Sequence, residues 1–172
     1  MAPELIELRE FFLTTATVAG ALVGLLFVAV SLHLRLLSDE QSGDLRQDAR
    51  SILISYVAAM TLSLFPLIPQ PLPTLGLEIL AVFALVVVST APALPRLFRS
   101  SRVYGRLNRA FRVAWSVAWA SGTLAGGLAL VAGQAQAWPV QLLAASVIAL
   151  IVISVFRTWD LVFRAARVAP PA

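Results

Sequence analysis

Arg96, Arg99, Arg102, Arg106, Arg109 and Arg112 stand three, three, four, three and three residues apart, with no acid among them. Guanidinium groups at that density bind anions, because each presents a planar fork of donors that meets a phosphate or carboxylate with two bonds at once. All thirteen basic residues of the chain are arginine, so the stretch RLFRSSRVYGRLNRAFR holds nearly half of them. Wound as a helix, it places Leu97, Val103, Tyr104, Leu107, Ala110 and Phe111 on one face. Five of the arginines fall on the other face, with Arg96 at the boundary, and Pro95 suits the first turn. Two uses fit such a face. It can lie at a membrane surface, as an interfacial helix or as the cytosolic extension of a span, with its arginines on anionic headgroups. Alternatively, several copies around an axis would ring a cytosolic vestibule that attracts anions. Nucleic acid is not an expected partner, because no folded reading module accompanies the stretch.

Other chemistry has little to draw on. There is no cysteine, and His33 is the one histidine. Thiolate nucleophiles, cysteine-ligated metals and multi-histidine metal sites are therefore excluded, and no metal or cofactor is expected. No paired carboxylates fall in the middle of an apolar run, and no glycine-rich phosphate loop follows a strand. The expectation is a protein that is not an enzyme.

The elements that must position these residues are apolar. Of 172 residues 59% are hydrophobic and 13% charged, with a mean hydropathy of +0.87. A water-soluble fold of this size could not bury that much apolar side chain, so part of the solvent is lipid. Five apolar segments are long enough to consider as spans: about 11–34, 51–67, 75–94, 111–133 and 139–156. None alternates with period two, which argues against a barrel. The arginines then sort by side. The first internal loop carries Arg35, Arg46 and Arg50, the third loop the six already named, and the C-terminal tail Arg157, Arg164 and Arg167. The opposite side carries Arg9 alone. The positive-inside rule then predicts an N-terminus outside and a C-terminus in the cytoplasm.

The predicted fold is an all-α integral membrane protein, a single domain over 1–172. It is a bundle of five transmembrane helices, with an amphipathic arginine-rich cytosolic helix (96–112) leading into the fourth span. The N-terminus MAPELIELRE is acidic, which argues against a cleaved signal peptide. The exclusive use of arginine, with abundant Ala and Leu, suggests a bacterial protein of the cytoplasmic (inner) membrane. SDEQ from Ser38 reads as a capping box, PLIPQPLPT as a tight turn, and Trp138 and Trp159 as aromatic anchors at opposite interfaces.

Two small-residue faces suit close helix packing: Ala16, Gly20 and Gly24 in the first segment, and Ala118, Gly122 and Gly126 in the fourth. They serve packing within one bundle, self-association into a homo-oligomer, or both. Trp115 and Trp119 share nearly the same face as the second set, as core packing or as the wall of a ligand pocket. Polar groups at membrane depth are few. Tyr56 and Ser63 share a face of the most hydroxylated segment, and with Glu78 they are candidates for a polar pathway. The plainer reading has the hydroxyls bonding their own helices and Glu78 sitting at a helix N-terminus. His33 is an interfacial histidine or a proton sensor, and Asp160 an ion-pair partner for Arg157 or Arg164.

The run FFLTTATVAGALVGLLFVAVSLHLRLL, with LGLEILAVFALVVV after it, resembles the opening of small bacterial multi-span proteins often labelled modulators of the FtsH protease. The resemblance implies a regulatory partner of a membrane protease rather than an enzyme, and it carries over no functional residue. Two functions are expected, the first as the leading reading and the second as its alternative. One is a self-associating channel for ions or small solutes with an arginine-rich cytosolic mouth. The other is a membrane-embedded regulator or assembly partner of another membrane protein.

Overall fold

The computed structural model describes residues 6–32, 43–91 and 106–168. Among them the regular elements are helical: α1 (Arg9–Leu32), α2 (Gly43–Leu64), a 3-10 turn (Phe65–Leu67), α3 (Leu72–Thr90), α4 (Arg106–Val131) and α5 (Ala137–Val168). All five α-helices are long and apolar enough to cross a membrane. Helix is the form such segments must take in lipid, where no water satisfies a stray backbone N–H or C=O.

The helix bounds depart from the apolar runs in a consistent way. α2 starts at Gly43, eight residues before the run at Ser51, and α5 continues to Val168, well past the run's end at Phe156. Arg106, Arg109 and Arg112 belong to the first two turns of α4, so this half of the arginine stretch is continuous with the fourth span. Helix, unlike hydropathy, does not stop at the membrane boundary. Arg96, Arg99, Arg102, His33, Pro95 and the cap at Ser38 lie outside the described residues.

Two short connections join helices at one end of the bundle. α2 tightens into the 3-10 turn at Pro66, where Ile68 N–H donates to Phe65 O at 3.1 Å. Pro71 then caps α3 with extended backbone, and a further proline sits in the first turn. α4 ends in a Schellman arrangement: Gly133 N–H donates to Leu130 O and Gln134 N–H to Ala129 O. Gly133 has φ +71°, a conformation that glycine adopts without strain.

Helices that follow one another in the chain and touch pack antiparallel. Thr15 of α1 meets Ser63 of α2, and Gly20 lies beside Met60. Gly122 of α4 faces Ser146 of α5, and Gly126 faces Pro139. α2, α3, α4 and α5 form a closed ring of neighbours, with α1 laid against α2 and touching α5. α2 and α5 are the central pair, with 50% and 56% of their spans buried, against 17% for α1. Leu62, Leu75, Ile79, Leu130, Leu143 and Val147 fill the space inside the ring. Outward faces carry exposed Leu, Val and Phe, among them Leu25, Phe27, Leu85 and Val88. That arrangement suits a hydrocarbon solvent, in which such side chains lose nothing by exposure.

Candidate functional site

The arginine end is built by three helices. α2 contributes Arg46 and Arg50 in its first two turns, α4 contributes Arg106, Arg109 and Arg112, and α5 contributes Arg157, Arg164 and Arg167. Asp44, Asp48 and Asp160 are the acids on these same stretches, so positive charge is in excess. At the opposite end, Arg9 is the one basic residue among the described residues, and Glu7, Glu10 and Glu78 belong to the same end.

Hydrogen bonds tie α2 to α5 just inside this end. Arg157 Nη2 donates to Ser51 Oγ, and the Ser51 hydroxyl donates to Asp48 O at 2.9 Å. Tyr56 OH lies 3.0 Å from Thr158 Oγ1. Thr158 spends its one proton on Ser154 O, so Tyr56 is the donor of that pair. A tyrosine at this depth can only be buried if its hydroxyl is partnered, and the partner comes from the neighbouring helix. Sequence reading did not find the Ser51–Arg157 contact, because it joins residues 106 positions apart.

The candidates for a polar pathway each have hydrogen-bond partners, Tyr56 across the α2–α5 interface. Ser63 donates to Ala59 O at 2.8 Å and lies 3.1 Å from Thr15 Oγ1. Glu78 accepts from Gln70 Nε2 at 2.7 Å, near the end where α2 and α3 join. Buried Ser55, Thr123, Ser146 and Ser154 each donate to a carbonyl three or four residues back in their own helix. Such back-bonding commits the hydroxyl's one proton and leaves its oxygen as an acceptor only.

The small-residue positions divide. A Cβ added at Gly122 would stand 3.2 Å from Ser146 Cβ, and one at Gly126 would stand 3.0 Å from Pro139 O. Ala118 is exposed and Ala16 is buried. A Cβ added at Gly20 would meet only Met60 Sδ, at 3.8 Å, and one at Gly24 would meet nothing within 4 Å. The tightest approach was not among the expected residues: a Cβ at Gly76 would stand 2.6 Å from Val131 N and 2.7 Å from Gly127 O. No small residue four positions away marks Gly76 in the sequence, so the spacing signal misses it. The two indoles also part company. Trp115 Nε1 donates to Ala149 O at 2.6 Å. Trp119 packs on Phe83 with ring centroids 5.6 Å apart, and its buried N–H finds no acceptor.

No group of histidine, cysteine and carboxylates that could hold a metal occurs among the described residues. Comparison with protein families, with curated proteins and with solved structures finds no match to this chain.

Proposed function

We propose that this is a non-enzymatic, self-associating membrane protein that acts as a regulator or assembly partner of another membrane protein. In this reading it crosses the cytoplasmic membrane of a bacterium five times, with its arginine end in the cytoplasm. One observation carries the proposal. α1 rests on the bundle by one side only, and its outward side presents Thr14, Thr17, Ala21, Gly24, Val28 and Ser31, all exposed and three or four residues apart. The hydroxyls of Thr17 and Ser31 donate to their own backbone, at 2.9 and 2.8 Å. The face is therefore small, apolar in effect and open at Gly24, which is how helices approach one another where lipid gives no hydrophobic drive. The resemblance of residues 11–37 to modulators of a membrane protease supports the same class of role. The apolar filling of the ring favours it over conduction through a single bundle.

A second reading, anion conduction past an arginine-lined mouth, draws on the gathering of arginines at one end. It needs copies arranged around a wetted path. One experiment separates the two. Copies labelled with donor or acceptor dyes are reconstituted in liposomes, and energy transfer is followed on lipid dilution alongside potassium chloride flux. We expect transfer that Gly24→Leu reduces, with flux no greater than in empty liposomes. Transfer that Gly24→Leu leaves unchanged would remove α1 as the associating face. Flux that changes on Arg99→Gln, Arg102→Gln and Arg106→Gln together would replace this reading with conduction.

A further inference from the structure

Two exposed tryptophans on α5 locate the bilayer. Trp138 is 38% exposed and Trp159 67% exposed. They are 21 residues apart in one unbroken helix, about 32 Å at the helical rise. That is the thickness of a hydrocarbon core, about 30 Å, and indoles collect at its two surfaces. Trp159 therefore marks the lipid–water boundary at the arginine end.

Neighbouring helices can be read against that level. Thirteen residues beyond Ser146 on α5 lies Trp159, and thirteen residues back from its partner Gly122 on the antiparallel α4 lies Arg109. On α2, Ser51 touches Arg157, so exposed Arg50 stands at the same depth and Arg46 about one turn further into water. Three helices thus bring arginine to one level, at which the phosphates of a leaflet lie. Exposed Phe156 and Trp159 flank it on the lipid side.

We propose that this end of the bundle binds the phosphodiester headgroups of anionic glycerophospholipids, with Arg50 at phosphate depth, position 109 of α4 at the same level in register, and Trp159 seated among the ester groups. Arg157 sets the depth of α5 through its bond to Ser51. The chemistry is charge complementarity of guanidinium with phosphodiester, in a geometry that a fork of donors satisfies and a screened point charge does not. The proposal goes beyond the lateral-association reading and stands if α1 proves not to associate.

The test is native mass spectrometry of the detergent-solubilised full chain, titrated with phosphatidylglycerol or with phosphatidylcholine of the same acyl chains. Phosphatidylglycerol is expected to bind about tenfold more tightly. The double variant Arg50→Gln/Arg109→Gln should bring the two lipids to equal affinity, and Arg9→Gln at the opposite end should leave the preference intact. Thermal unfolding of each variant in phosphatidylcholine micelles reports whether it is folded, and Arg50→Gln alone, at an exposed site, supplies a milder variant with a partial loss. Equal binding of the two lipids by the native chain would overturn the proposal, as would a preference that survives in the folded double variant. Inorganic phosphate, added at constant ionic strength against chloride, distinguishes the source of the anion. Retention of the lipid supports the site as drawn, and its displacement at low millimolar phosphate would make this a soluble-anion site instead.

Discussion

Gly76 and Gly24 are both glycines within long apolar helices, and a methyl group tells them apart. At Gly76 it would enter the backbone of α4, with Val131 N at 2.6 Å, and backbone cannot swing aside. Gly76→Ala is expected to cost about 1–3 kcal/mol as overpacking, read as a lowered midpoint of denaturation in micelles. Gly24→Ala meets nothing within 4 Å and should be neutral or stabilising by up to about 1 kcal/mol from helix propensity. Equal effects at the two positions would mean that α3 and α4 are not in the contact described. Gly127→Ala is the intermediate case, since the atom it would meet is Leu80 Cδ2, the far end of a side chain that can turn. The indoles allow a second comparison. Trp115→Phe and Trp119→Phe remove the same atoms, but only the first breaks a hydrogen bond, to Ala149 O. Trp115→Phe should therefore be the more destabilising by about 1 kcal/mol, and the opposite order would show that Trp119 has an acceptor. At this scale the sequence was partly legible. Spacing by four exposed Gly122 and Gly126, whose contacts repeat each turn, but a single close approach such as Gly76 leaves no period to read.

At the scale of elements, the central pair is held by what its polar groups do across the interface. α2 and α5 meet through Tyr56–Thr158 and Ser51–Arg157, both toward the arginine end. A double-mutant cycle with Tyr56→Phe and Thr158→Val should return a coupling of about 0.6 kcal/mol, the scale of interhelical hydrogen bonds measured in lipid-embedded bundles. A coupling indistinguishable from zero would separate the two hydroxyls. The five spans themselves were legible because a run of apolar residues has few other fates. The ends of α2, α4 and α5 were less so. Residues 43–50, 106–112 and 157–168 mix arginine with apolar positions, and hydropathy falls there while helix continues. The short connections make antiparallel neighbours of α2 and α3 and of α4 and α5, but how these hairpins and α1 sit together was not legible, since every span is apolar around most of its circumference. The ring of α2 to α5 with α1 outside follows from particular contacts, such as Thr15 on Ser63 and Gly122 on Ser146, that no single segment announces.

For the whole molecule, the decisive property is that its two ends differ in charge while its middle does not. The start of α1 and both short connections (residues 65–71 and 132–136) lie at one end, and the starts of α2 and α4 with the end of α5 lie at the other. Arginines are retained on the side from which a chain is inserted, whereas acids bias orientation little. The arginine end is therefore expected to face the cytoplasm. The chain is suited to a direct test, because it has no native cysteine to remove. Gln134→Cys lies in the exposed α4–α5 connection, and Gly43→Cys lies at the exposed start of α2. A membrane-impermeant maleimide should label the first in intact bacterial cells and the second only after the membrane is opened. Reversed labelling would invert the molecule and place its arginines on the outer leaflet. Lipid binding would then have to be sought there, and a cytosolic vestibule would be ruled out at the same stroke. Labelling of both positions in intact cells would mean that the five helices do not all cross, since an odd number of crossings is what puts residue 134 and residue 43 on opposite sides.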